Sequence, residues 1–175
     1  MLFNLPKQDK TAKSTAVMFR LYLALLTSVD VVNFPKAVNA TISTNVLKPG
    51  EKWTYIDATT SSINPNAQPG ESPTNGKLTL TPLIEGISKK TLSWIYDNAG
   101  ENVVVVWEDC LTKQKFLGGS PCSNGLLIKY TSIGKTDKNI NGIALSLEGE
   151  ECPEPFWFYE PGTGTTAFPI EADAP

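Results

Sequence analysis

Apolar and polar residues alternate along most of this chain with the two-residue period of β-strands. Within 16–26, Phe19, Leu21, Leu23 and Leu25 share one parity, while Arg20, Tyr22 and Ala24 take the other. A half-buried strand is predicted, with a helix competing because Leu and Ala favour it. The β-branched stretch 41–47 also alternates. It ends in Lys48-Pro49-Gly50-Glu51, with Pro and Gly where a type II turn wants them. Residues 53–58 then return as a strand. Residues 59–76 read as one long loop, whose centre holds Pro65, Pro69 and Pro73 and cannot be a central strand. A loop of this length in a compact domain is either functional or unstructured.

Further on, 77–83 alternates again up to Pro82. Residues 88–98 form the best helical pattern: Ser88 suits an N-cap, Thr91, Trp94, Ile95 and Asn98 share a face, and Gly100 supplies a stop. So short a helix is marginal alone, so the Trp94–Ile95 face must pack on the sheet. Asn102-Val103-Val104-Val105-Val106-Trp107 is continuously apolar and predicts a strand buried on both faces. Residues 113–117 return beside it, and 126–133 with 141–147 form a further pair. The aromatic run Phe156-Trp157-Phe158-Tyr159 reads as a last strand, serving the core or an interface. The expected layout is a polar N-terminal arm over 1–14, one β domain over 15–160, and a mobile acidic tail over 161–175. The fold class is mainly β: two packed antiparallel sheets, as a sandwich or barrel, with one flanking α-helix.

Composition narrows the chemistry. The 175 residues include no histidine, and Arg20 is the lone arginine among 15 basic residues. Triads and bases that need imidazole are removed, with most catalytic zinc sites. A single guanidinium also argues against a phosphate or nucleic-acid reader. Of the 18 acids, seven fall in 145–175, where there is no Lys or Arg. A basic body with an acidic end suits head-to-tail contact between copies, although a solvated tail explains it equally simply. Cys110, Cys122 and Cys152 form neither a disulfide framework nor a CxxC, and read as reduced thiols. Lys7, Lys10 and Lys13 before an apolar stretch imitate a signal peptide, with Val38-Asn39-Ala40 imitating its cleavage site. Arg20 inside that stretch and Asp30 after it count against this, and the stretch is too short to span a membrane.

No motif specifies catalysis. Glu108-Asp109 and Glu150-Glu151 are neighbours in sequence and would point oppositely on a strand. Asp57 with Glu108 is the remaining acid pair, and nothing in the sequence specifies it as a site. The cysteines lack a histidine base, and Gly118-Gly119-Ser120 is not a nucleophile elbow. Asn39-Ala40-Thr41 matches a glycosylation acceptor, a short pattern frequent by chance. Catalytic, cofactor and metal residues are expected to be absent.

The order and wording of the elements resembles the tail-tube proteins of long-tailed phages, of the Bacteroidetes type. Three stretches carry the likeness. The first runs from Leu21-Tyr22-Leu23-Ala24-Leu25-Leu26 to Leu47-Lys48-Pro49-Gly50-Glu51-Lys52-Trp53. The second links Val104-Val105-Val106-Trp107-Glu108-Asp109-Cys110 to Phe116-Leu117-Gly118-Gly119-Ser120-Pro121. The third joins Asn141-Gly142-Ile143-Ala144-Leu145-Ser146-Leu147 to Pro155-Phe156-Trp157-Phe158-Tyr159. The resemblance implies a virion structural protein, assembled in the bacterial host cytoplasm. It would form stacked hexameric rings around a bore that passes DNA without sequence-specific binding. Its partners would be further copies and other tail proteins, such as tape-measure and terminator proteins, with no membrane and no cofactor. Ile63, Asn64, Pro65, Gln68, Pro69 and Pro73 would belong to a ring-stacking loop, and Phe156, Trp157, Phe158 and Tyr159 to a subunit-interface strand. The alternatives are a neck or tail-completion protein, a secreted β-sandwich binding module, or a small hydrolase using Asp57, Glu108 or Asp109.

Overall fold

Four consecutive valines leave a strand no polar face to turn to solvent, and the fold meets that constraint by covering both sides. The computed structural model describes residues 19–59, 62–68, 76–109, 112–135, 141–152, 154–164 and 167–172. Its strands are β1 (Phe19–Leu25), β2 (Thr41–Ile42), β3 (Thr54–Ala58), β4 (Asn66–Gln68), β5 (Gly76–Leu80), β6 (Leu83–Glu85), β7 (Asn102–Glu108), β8 (Lys115–Gly118), β9 (Leu126–Lys135), β10 (Asn141–Cys152) and β11 (Phe156–Tyr159). The helix α1 (Lys89–Asn98) joins β6 to β7. The chain is therefore mainly β with one helix, as its periodicity predicts.

Val103, Val104, Val105 and Val106 are all 0% exposed, and each such side chain contributes about 1.5–3 kcal/mol by burial. β7 pairs antiparallel with β1 along one edge, from Leu21↔Trp107 to Leu25↔Val103. Its other edge is shared by β8 over Val105–Glu108 and by β9 at Asn102 and Val103. Through β9 the sheet continues to β10, which carries β6 and β5 on its far side. Past β6, the Thr59 amide donates to the Leu83 carbonyl at 2.8 Å and brings β3, paired with β1, back round. The two layers are thus one continuous sheet curled on itself, with β8–β11–β2 and β5–β4 as branches.

The curl encloses Leu21, Leu23, Val103, Val105, Ile128 and Leu145, among others, and receives Trp94 and Ile95 from α1. Ser88 caps that helix, its hydroxyl accepting from the Thr91 amide at 3.1 Å. A second core lies on the other face of β1 and β7, where Ala24, Val104, Val106 and Leu117 meet Trp53, Trp157 and Tyr159. Loop residues Val29, Val46 and Leu47 complete it. Two expectations are corrected here. The strand expected over 41–47 stops at Ile42, because Asn45 turns the chain by accepting from the Leu47 amide at 3.2 Å. β2 also runs parallel to β11, so the sheet is mixed.

The domain boundary at 160 is corrected too. The tail docks: the Trp53 amide donates to the Pro169 carbonyl and the Glu171 amide to the Trp53 carbonyl, both at 2.8 Å. Phe168 inserts among Tyr22, Trp53 and Tyr159, with ring centroids 4.9, 5.5 and 6.0 Å away. The expected arm over 1–14 lies outside the described residues. Sign separation along the sequence is partly offset in the fold, where three of the seven C-terminal acids meet lysines of the body. Glu148, Glu150 and Glu171 pair with Lys129, Lys77 and Lys52 at 2.9, 3.3 and 3.4 Å.

The loop between β1 and β2 ends in a two-residue hairpin, in which Val38 and Thr41 exchange both backbone hydrogen bonds. Asn39 and Ala40 hold it at φ 51° and 59°. Asparagine tolerates this left-handed region, whereas the alanine Cβ is strained there. Ala40→Gly should therefore stabilise the protein by roughly 0.5–1 kcal/mol. A higher thermal midpoint checks this, and an unchanged or lower one contradicts it.

Candidate functional site: an aromatic face beyond the curl

The inward face of β7 continues sideways onto β8 and β11, where the second layer no longer covers it. Register places Phe116 beside Trp107, Phe158 beside Phe116, and Phe156 beside Gly118. Strand alternation then puts these four aromatic side chains on one face. Trp107 and Phe116 stack at 5.7 Å and 23°, and Phe156 meets both edge-on at 5.8 Å. Phe158 lies 5.3 Å from Phe116. Phe156 is 38% and Phe158 41% exposed. Gly118 keeps the layers close: a Cβ there would sit 2.6 Å from Leu78 Cδ2 and 3.0 Å from the Trp107 ring.

Where this face meets the end of β7 there is a cleft of about 410 Å³. Its walls are Trp107, Phe116 and Phe156 on one side and Ile63, Asn64 and Pro65 on the other. The fold therefore brings the start of the expected stacking loop against the expected interface strand. Both sets of residues need correction. Ile63 is buried in the enclosed core, so it is not free to reach another ring. Asn64, Pro65 and Gln68 are exposed, and Gln68 sits on β4 opposite Lys77. Pro69 and Pro73 lie outside the described residues. Trp157 and Tyr159 are 7% and 1% exposed and belong to the chain's own second core. β11 has β8 on one side and, over Phe158 and Tyr159, β2 on the other, so at most its first two residues present an edge for a neighbour to complete. Burial pushes the Tyr159 phenol well above its ordinary range.

The open edge lies elsewhere. β9 meets β7 only at Leu126 and Leu127, and among the described residues no strand pairs with its outer edge over 129–135. Tyr130 and Ile133 are exposed there. Lys129 stands on this stretch, and the register with β10 shifts beside Tyr130, two features that limit uncontrolled pairing. The sequence points to all four β11 aromatics together, without separating the exposed pair, and does not point to Trp107 or Phe116 beside them, because strand neighbours are not encoded locally. Phe168 did leave a signal, as the lone aromatic residue in a stretch of Gly, Thr, Pro and acids.

The acids proposed for hydrolysis are all committed to partners. Asp57 accepts two hydrogen bonds from Arg20, at 2.7 and 3.0 Å, and that contact raises the guanidinium pKa further. Lys113 and Lys115 flank Glu108 at 3.8 and 3.6 Å. Asp109 holds the next turn, accepting from the Thr112 amide and hydroxyl at 2.7 and 2.9 Å. Among the described residues no cluster of Cys, Asp and Glu could hold a metal ion. No helix among them is long and apolar enough to cross a membrane. Cys122 is exposed and free, and Cys110 lies outside the described residues. Comparison with models of known protein families, with characterised proteins and with solved structures found no match to this chain.

Two predictions follow from the local geometry. Gly118→Ala should cost about 1–3 kcal/mol by overpacking, seen as a lower denaturant midpoint. An unchanged midpoint would show that Leu78 and Trp107 yield freely. The second concerns Glu148, which lines a polar cleft with Lys129, Asn102 and Asn124. Hydrogen bonds from Lys129 and Ser146 hold its carboxyl below the ordinary value of 4.5. A lowered folded pKa gives stability that is present above the ordinary value and lost as pH falls through the lowered one. Glu148→Gln should accordingly be less stable than wild type at neutral pH, with the gap closing below pH 4.5. A gap independent of pH would contradict this.

Proposed function

We propose that the chain is a self-assembling structural subunit, and specifically a virion protein of the tail-tube kind whose rings stack around a DNA-conducting bore. The observation that carries the reading is the uncovered aromatic face, which continues the buried face of β7 onto Phe116, Phe156 and Phe158. Magnitude decides how that face is used. With each ring worth about 150–250 Å² when covered, the exposed parts of Phe156 and Phe158 amount to roughly 150 Å². A stable interface buries about 800 Å² on each partner. The face can therefore anchor a contact but cannot make one alone, and the open β9 edge supplies a second contact through backbone pairing.

The likeness of the strand order to tail-tube proteins selects rings and tubes over other assemblies. Absence of histidine, a single arginine already held by Asp57, and net charge -3 fit a wall that does not grip DNA. Three of the seven acids in the C-terminal region pair with lysines of the same chain, which lessens the charge left for head-to-tail attraction.

The test is light scattering and negative-stain imaging over a concentration series, for wild type and a Phe156→Ser/Phe158→Ser variant. Rings or tubes are expected for wild type. The variant should keep its fold, because both rings are substantially exposed, and lose at least ten-fold in assembly at a given concentration. A wild-type protein that stays monomeric at high concentration refutes the proposal.

A further inference from the structure

The polar cleft that Glu148 lines has a volume of about 400 Å³. Register builds it on the outward face of the sheet, opposite the enclosed core. Asn102 on β7 stands beside Leu127 on β9, and Leu127 beside Glu148 on β10. Val103, Leu126, Ile128 and Leu147 point into the enclosed core, so alternation turns Asn102, Leu127 and Glu148 to the other side. Lys129, two residues past Leu127, shares that face. The remaining wall is the turn after the 3₁₀ segment Pro121–Ser123, which carries Asn124. Hydrogen bonds fix this turn: the Cys122 amide donates to the Ser120 hydroxyl at 3.1 Å, and the Gly125 amide to the Ser120 carbonyl at 2.9 Å. A Cβ on Gly125 would sit 2.8 Å from the Val103 carbonyl oxygen, so turn and strand approach this closely only through glycine.

The groups in this cleft are polar and balanced in charge. Lys129 donates to one Glu148 oxygen at 2.9 Å, and the Ser146 hydroxyl donates to the other at 2.7 Å. Glu150 at the rim pairs with Lys77 at 3.3 Å. Capacity remains after these bonds: the ammonium keeps further N–H donors, and the carboxylate keeps further lone pairs. Half-buried Asn102 and exposed Asn124 have no side-chain hydrogen bond among the described residues. Each carboxamide both donates and accepts. Half-buried Leu127 lies between Asn102 and Glu148 in the cross-strand row and supplies an apolar floor.

We propose that this cleft binds a neutral saccharide, with one sugar ring over Leu127 and its hydroxyls read by Asn102, Asn124, Lys129 and Glu148. The ligand class follows from the inventory. Neighbouring sugar hydroxyls each donate and accept, and the adjoining ammonium and carboxylate offer one charged donor and one charged acceptor. The C–H face of the ring suits the leucine. An anion would meet Glu148 and a cation Lys129, and neither finds an unmatched counter-charge. The volume falls in the range of about 300–1,000 Å³ typical of small-molecule sites. All of these groups belong to one chain, so the inference stands apart from the self-assembly reading.

Saturation-transfer NMR observes the ligand and serves for monomers and large particles alike. The full chain is titrated separately with glucose, galactose, mannose, rhamnose and N-acetylglucosamine, each up to about 100 mM. At least one should bind saturably with a Kd of about 1–10 mM, the strength open to so small a ligand. Asn102→Ala/Asn124→Gly should weaken that binding at least ten-fold and keep a thermal midpoint near that of the wild type. Neither carboxamide holds the fold, and glycine suits the left-handed backbone at 124. Lys129→Gln, at an exposed position, should weaken binding in the same direction. No saturable binding by any of the five sugars overturns the proposal, as does binding that both variants leave unchanged. A stronger, variant-sensitive response to acetate or glycine overturns the neutral class of ligand.

Discussion

The burial of β7 on both faces is the constraint from which the rest of the structure follows. Val103 and Val105 must meet one apolar layer, and Val104 and Val106 another. A single sheet with one wet face cannot satisfy both. The sheet therefore curls to enclose one set, while the segment 26–53, β11 and the C-terminal strap cover the other. The helix serves the first demand, since Trp94 and Ile95 are wholly buried in the enclosed core. The strap serves the second, by placing Phe168 over Trp53 and Tyr159.

The same constraint produces the aromatic face. β7 passes its buried pattern sideways to β8 and β11, but the covering layer does not extend as far. Phe156 and Phe158 are left at the margin, 38% and 41% exposed. They share their strand with Trp157 and Tyr159, which are buried in the chain's own second core. One four-residue strand thus separates buried from exposed aromatic side chains by parity alone. Charge does not compete with this division, because several acids near the C-terminus are matched by lysines of the same chain.

Much of this architecture was legible beforehand. The two-residue period located most strands, Ser88 and the Thr91–Trp94–Ile95–Asn98 face located the helix, and the valine run announced a doubly buried strand. The stretch 41–47 misled because β-branched residues suit any half-buried extended chain, paired or not. The tail misled for the opposite reason: its Gly, Thr, Pro and acids have the composition of a free arm, and one phenylalanine was enough to dock it. Assigning Phe156, Trp157, Phe158 and Tyr159 together to an interface ignored alternation on a strand. Treating Ile63 as part of a projecting loop ignored that an isolated large apolar residue in a polar stretch is often an anchor.

The chain alone determined most of the segments that extend, which one is helical, and that imidazole chemistry is out of reach, because propensity, period and side-chain inventory are local properties. Tertiary structure alone decided which strands are neighbours, that one sheet closes into both layers, that the acids meet lysines, and that Trp107 and Phe116 join the β11 aromatics. Those outcomes depend on hydrogen-bond register and on burial shared between residues far apart in sequence, which no window along the chain contains.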